Sequence, residues 1–534
     1  PRAPAPASHD VMQDGRASGA RIACAVAAVG LLAVAIVAAR VSTPFFLAAG
    51  AALVVLLAYG AYVWPRALLL TVALSPMVDQ YVIGLLLPPD QQFWSRILSE
   101  LLLAAVGLVV AGRALVAGTF VSAVRHPVTP LLAVFVLIGA VGAIANDVPF
   151  HVAAVGMLVT VDAFALFFLA RMTPFDARAA AIAASVFVAA VAAAALVAVV
   201  QTVAGPQVVG LPFRVGTLGE SVRAGSVFVD PGVLGAAAGA AAAFPLFAVF
   251  RVRSGAPRWA AIGVALLLLI AVVLTFSRGS WVGTMVGIGV VAVILDRRAL
   301  ALTVVLAVVA FAGVAVMPRN VLLPADEVAT DTGSTPVASA EPAASARPSP
   351  AASATAAPPA PEAPDIIGST IAKTLRVLTG SDARAKFVVN AIPIVADHPI
   401  VGVGPGRYGG VVASIFETPV HAQYGTDRIM NRVGARTVDN FWLHLVVEFG
   451  IAGLVVYLAI VGLLAVVVAR LARRSAGDRF VVLAGTLGML GVLTIHDLTS
   501  MLFEGNVIAF ALWLFLGVCS SLPVAPAETG AAPP

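Results

Sequence analysis

Apolar runs of roughly 18–25 residues recur along this chain from residue 20 to residue 521. Each is long enough to cross a hydrocarbon core about 30 Å thick as a helix. A backbone inside lipid must also satisfy its own hydrogen bonds, which leaves helices or a closed barrel. Barrel strands alternate polar and apolar residues, and these runs do not. The sequence therefore predicts an all-α fold, a polytopic membrane helical bundle. Composition agrees. Of 534 residues, 60% are hydrophobic and 11% charged, which lies outside the range of soluble globular proteins.

About 14 transmembrane helices are expected, over residues 20–40, 44–63, 66–87, 96–117, 128–146, 151–171, 177–204, 232–252, 257–276, 279–296, 299–317, 440–470, 478–496 and 499–521. Ser75-Pro76 and Asp79-Gln80 interrupt the third, which reads as broken or re-entrant. The run at 20–39 lacks a small-residue cleavage site and reads as a retained helix. Residues 1–19 and 522–534 read as disordered tails. Spans one to eleven occupy 20–317, and the last three occupy 440–521.

Arginine placement orients the bundle. With the N-terminus inside, the inside connections hold Arg66, Arg113, Arg125, Arg171, Arg178, Arg251, Arg253, Arg258, Arg297, Arg298, Arg470, Arg473, Arg474 and Arg479. The short outside connections hold Arg40, Arg96, Arg214, Arg223 and Arg278. This bias is the positive-inside rule, and Arg214, Arg223 and Arg278 stand out as clustered exceptions. The long connection 318–439 then lies outside. Its 325–364 part is Ala, Pro and Ser with little else, a disordered linker. Its 365–409 part carries apolar residues at helical spacing, including Phe387, Val388, Ala391, Ile392 and Val395, and predicts amphipathic helices.

Several function classes drop out. The net charge of +5 is small for this length and does not suggest nucleic acid. Cys24 and Cys519 both fall in expected spans, so neither a disulfide framework nor a cysteine metal site is available. The segment HPIVGVGPGRY lacks the Gly-Lys-Ser/Thr ending of a nucleotide loop, and reads as a tight turn back to the membrane.

What remains is a set of polar residues at the outside ends of apolar runs. Arg278 in LTFSRGSW (274–281) is permanently charged and can grip phosphate with two donors; it also reads as an arginine snorkelling to the interface. Arg223 sits in the Gly-rich RVGTLGESVRAGSVFVDPG (214–232), a plausible anion loop or an ordinary loop charge, and Arg214 carries the same argument. Arg384 and Lys386 precede the amphipathic segment, as anion ligands or as a solvated face. Asp439, Asn440, His444 and Glu448 open the twelfth span. Asp439 could act as a general base, while Asp439 or Asn440 could equally cap the helix. His444 and Glu448, four apart, share one face.

Four segments, in this order, resemble the O-antigen ligase and O-antigen polymerase superfamily of bacterial membrane glycosyltransferases. They are RAGSVFVDPGVLG (223–235), LTFSRGSW (274–281), DARAKFVVNAIPIVADHPIVGVGPGRY (382–408) and VDNFWLHLVVEFGIAGL (438–454). The resemblance implies transfer of a glycan from an undecaprenyl-diphosphate carrier, at the extracytoplasmic face of the bacterial inner membrane, without a nucleotide sugar. It implies that Arg278, Arg223 and Arg384 hold the diphosphate, with no metal or other cofactor required. The acceptor would be a glycan, a lipid or a wall polymer. In many ligases the residue before the closing Asn is His, acting on the acceptor hydroxyl; here it is Asp439, which puts a lipid A-core acceptor in question. Catalytic roles are thus expected for Asp439, Arg278 and Arg223. Substrate contacts are expected for Arg384, Arg214, Lys386, Asn440, His444 and Glu448. Ligase and polymerase share a donor and stay open. A transporter or flippase without chemistry is the alternative from another class.

Overall fold

A computed structural model describes residues 43–78, 98–204, 223–228, 230–252, 254–316, 383–416, 418–425, 439–504 and 506–522. The expected first span, the linker 325–364 and Arg214 lie outside the described residues. The helices, in chain order, are α1 (Thr43–Val63), α2 (Pro65–Leu74), α3 (Leu98–Val116), α4 (Val128–Ala145), α5 (Phe150–Val161), α6 (Phe164–Met172), α7 (Ala177–Ala204), α8 (Pro231–Ala248), α9 (Ala256–Leu274), α10 (Arg278–Leu295), α11 (Arg297–Val316), α12 (Ala383–Asp397), α13 (Gly410–Ile415), α14 (Phe441–Arg473), α15 (Gly477–His496) and α16 (Asn506–Ser521). Short helical turns at Pro76–Val78, Phe120–Val124 and Val420–Gln423 lie between them.

The chain is a helical membrane protein, and every regular element among the described residues is a helix. Among the described residues, nine helices are long and apolar enough to cross a bilayer, or ten if α5 and α6 make one span bent by 54°. The expectation of about 14 therefore stands only in part. The expected span 151–171 is this bent pair. The expected span 66–87 is described only to Val78, as α2 and one further turn.

Helices α8 and α15 form the centre. Most of α8 is Ala and Gly, and it is buried almost throughout. Small side chains let helix backbones approach closely, which is the main packing device in lipid. A Cβ on Gly287 of α10 would lie 2.3 Å from the Val492 nitrogen of α15, and one on Gly485 would meet the Phe244 ring at 2.3 Å. A second core is aromatic. Phe135, Phe164, Phe441, Phe449, Tyr457, Phe503 and Trp513 are buried and stack in sequence between α4, α6, α14 and α16.

The expected span 440–470 needs correction. As one straight helix, the 33 residues of α14 would reach about 50 Å, well beyond a core of about 30 Å. Gly450 breaks it, with φ 67° and ψ −175°. The rings of Phe441 and Tyr457 are 5.2 Å apart, whereas 16 residues of straight helix would separate them by about 24 Å. The piece Phe441–Phe449 therefore leans back against Ile451–Arg473, and only the second piece, about 34 Å long, has the length of a span.

A break inside a helix strands amides and carbonyls that lipid cannot satisfy. Here the segment 399–404 supplies the partners. Val403 and Gly404 donate to the carbonyls of Val447 and Glu448, while Ile451 and Ala452 donate to those of Pro399 and Ile400. Contact is close enough that a Cβ on Gly450 would sit 2.1 Å from the Ile400 oxygen. Gly402, Gly404, Gly406 and Gly410 all have positive φ, the conformation that favours glycine.

Candidate active site

Three helix N-termini meet at one end of the bundle, each set by a residue the sequence supplies for the purpose. Asp230 caps α8, accepting from Gly232 and Val233 with Pro231 at the first position. Ser277 caps α10, accepting from Ser280. Asn440 caps α14, accepting from Leu443. The capping alternative for Asn440 is thus what the side chain does. These ends are tied together by contacts around α15. Ser280 Oγ lies 3.1 Å from His496 Nε2 and donates to the Gly232 carbonyl at 3.2 Å. The Phe441 amide donates to the carbonyls of Asp497 and Ser500. A Cβ on Gly279 would sit 2.1 Å from Thr499 Oγ1. The three N-termini bring partial positive charge to this end, and the C-termini of α9 and α15, which meet them there, bring partial negative charge.

Two of the arginines singled out above lie at this end. Arg278 is the first residue of α10 and is half-buried. Arg223 Nε donates to the Thr275 carbonyl at 2.9 Å, three residues before Arg278. Ala224 N donates to Leu274 O, so the 223–224 segment also satisfies carbonyls at the C-terminus of α9. Asp439 directly precedes the Asn440 cap. Arg223, Arg278, Asp439 and Asn440 thus lie at the same end of the bundle. Arg384 and Lys386 fall in the first turn of α12. The buried face of that helix, Phe387, Ala391 and Ile394, packs on Tyr408, Val420 and Val447.

One turn along α14, His444 and Glu448 are both buried. Their i,i+4 spacing predicts adjacency, and His444 Nε2 stands 3.5 Å from Glu448 Oε2. Glu448 does more than face His444. Its carboxylate accepts from the amides of Gly406 at 2.6 Å, Tyr408 at 2.7 Å and Gly409 at 3.4 Å. It is the anchor of the glycine loop 402–410. Arg407 Nη1 and Asn146 Nδ2 fasten the same loop to the end of α4, through the Asn146 and Gly402 carbonyls.

Sequence reasoning missed Glu504. It lies in the connection between α15 and α16, buried, with Oε2 3.1 Å from His444 Nε2. Two carboxylates thus flank one ring nitrogen. A Cβ on Gly410 would come within 2.3 Å of Glu504 Oε1, so the same carboxylate abuts the loop's end. An acid isolated in the apolar context MLFEG between two runs is the signal that could have found it. Arg407 and the Ser280–His496 pair were missed because their partners are distant in sequence. Among the described residues, no group of three or more His, Cys, Asp or Glu is arranged to hold a metal ion.

Burial pushes the Glu504 carboxyl from 4.5 up to about 7; His444 opposes the shift and Glu448 adds to it. Burial likewise raises Asp497, while the amides of Leu502 and Phe503 pull it back. The linkage has a definite sign. A carboxyl with a raised folded value stabilises fully below its ordinary 4.5 and loses that contribution as pH climbs through about 7. Thermal unfolding followed from pH 5 to pH 8 should show a falling midpoint, and Glu504→Gln should flatten the fall. The same slope in both proteins would remove Glu504 from this role.

The family model described as O-Antigen ligase matches residues 263–458. That stretch takes in Arg278, Arg384, the glycine loop, Asp439 and Glu448, and leaves Arg223 and Glu504 outside. No curated protein matches the chain.

Proposed function

From the match of residues 263–458 to the O-antigen ligase family model, we propose that this membrane protein transfers a glycan from an undecaprenyl-diphosphate carrier to an acceptor hydroxyl. Transfer takes place at the extracytoplasmic face of the bacterial inner membrane. The observation that carries the reading is the meeting of three helix N-termini with Arg223 and Arg278 at one end of the bundle.

The chemistry follows from charge. The bond between the donor sugar's anomeric carbon and the diphosphate oxygen breaks, and the diphosphate leaves with its negative charge. Arg278 and Arg223 grip that charge as it develops, and the amides opening α8 and α10 add a fixed field. Groups aimed where charge develops lower the barrier most. The acceptor hydroxyl attacks the anomeric carbon and gives its proton to the Asp439 carboxylate. Arg384 and Lys386, at the start of α12, add positive charge for the donor, and Arg214 adds to the same charge. Glu448, with His444 beside it, holds the glycine loop that borders the acceptor side, while Asn440 fixes the start of α14. Lipids of the membrane surround the bundle.

The test is transfer by the purified full chain in nanodiscs, given undecaprenyl-diphosphate oligosaccharides and a panel of acceptors. Release of undecaprenyl diphosphate is the expected result. A product of one added glycan marks a ligase, and a ladder marks a polymerase. No release, with faster lipid movement across the bilayer, would establish a transporter instead. Asp439→Asn should lower turnover by 10²–10⁴-fold, the usual range for a general base, with donor affinity within about threefold. Equal loss of both would make Asp439 a cap and not a base.

A further inference from the structure

Between α10, α14 and α15 runs a groove of about 450 Å³, from Thr494 and Ile495, just short of His496, to Arg470 and Arg473 at the opposite end of the bundle. Val286, Val290 and Ile294 form one wall, Val461 and Ala465 another, and Gly287 and Gly491 meet at the floor. The lining is apolar except for Thr494 at one end and Arg470 and Arg473 at the other. Both arginines lie in the last turn of α14 and are exposed. Arg297 and Arg298 open α11 just after Ile294, at the same end.

Length decides what fits. From Val461 to Arg473 the groove follows 12 residues of α14, about 18 Å. Half of a hydrocarbon core is about 15 Å. The groove thus has about the length of one acyl chain, and its far end is charged. An isoprenoid held by Arg223 and Arg278 at the far end would set its own phosphates away from these arginines. An acyl chain attached to a phosphate at Arg470 and Arg473 meets both the apolar walls and the charged rim. Guanidinium is the side chain best matched to phosphate oxygens.

We infer that this groove is a binding site for one anionic phospholipid of the leaflet opposite the candidate active site. Its phosphate is held by Arg470 and Arg473, and one acyl chain lies along Val461, Ala465, Val290 and Val286. The lipid would close the seam between α14, α10 and α15 below the Gly450 break.

The experiment is native mass spectrometry of the detergent-purified full chain, titrated with phosphatidylglycerol or with phosphatidylcholine of the same chains. Wild type should retain one phosphatidylglycerol in preference to phosphatidylcholine. Replacing both Arg470 and Arg473 by Ala should weaken that retention about thirty-fold. This is the equivalent of about 1 kcal/mol per basic residue. Ala465→Phe should also weaken it, with every charge intact, and Arg474→Ala should leave it unchanged. The shift in thermal midpoint on adding phosphatidylglycerol, present in wild type and absent in the double variant, reads the same site if Ala465→Phe folds poorly. Equal retention by all variants would reduce the contact to unselective annular lipid and overturn the proposal. Displacement by undecaprenyl phosphate at equal concentration would give the groove to the isoprenoid instead.

Discussion

Arg278→Ala is expected to cut glycan transfer by about 10²–10³-fold, the usual loss when one group that stabilises developing negative charge is removed. Membrane expression and thermal midpoint should stay near wild type. The reason for the separation is local. The cap of α10 is Ser277, whose oxygen accepts from Ser280, and the close approach to α15 is made at Gly283 and Gly287. The guanidinium is required for neither. Lys in place of Arg keeps the charge but loses the two-donor fork, so Arg278→Lys should fall between the two. Turnover and donor affinity measured separately give a further check. A group acting on the leaving diphosphate lowers turnover at saturating donor, whereas one that only recruits the donor raises KM with kcat unchanged. Full activity in Arg278→Ala would take the leaving-group role away from this end of the bundle.

Glu448→Ala should be the most damaging single change to the fold of the site. It removes the acceptor of two short amide bonds, from Gly406 and Tyr408, in a buried setting. At about 1.5–3 kcal/mol for each hydrogen bond to a charged group, the loss is roughly 3–6 kcal/mol. The same change leaves His444 facing Glu504 alone. Unfolding midpoints and limited proteolysis read the effect. Cleavage should appear between Gly402 and Gly410, with the transmembrane core still protected. Glu448→Gln keeps one accepting oxygen and should lose less. An unchanged midpoint and an uncut loop in Glu448→Ala would show that the loop stands without its anchor.

The helices were legible because each is a run of apolar residues with no competing pattern. The span expected over 177–204 is α7, and Asp230-Pro231 and Ser277 announce the starts of α8 and α10 by their chemistry. The break in α14 was not legible. Gly450 sits among Phe449, Ile451 and Ala452, so a hydropathy window passes over it unchanged. Its cause is 50 residues upstream, in the carbonyls of Pro399 and Ile400. Glu504 was hidden for a related reason. It has no neighbour in sequence to mark it, and its meaning comes from a histidine 60 positions earlier. His444 and Glu448 needed no such knowledge, since four residues along a helix is one turn. Local chemistry thus placed the ends of helices, and long-range pairing placed what sits between them.

The splice at Gly450 also gives this protein's biogenesis a sequence of events. Residues 399–404 are made before 447–452, yet each needs the other to satisfy its backbone. Until α14 has been made, the loop can lean only on Asn146 at the end of α4. The pairing across Gly450 can therefore close only after α14 is made, which places this bend late in the order of assembly.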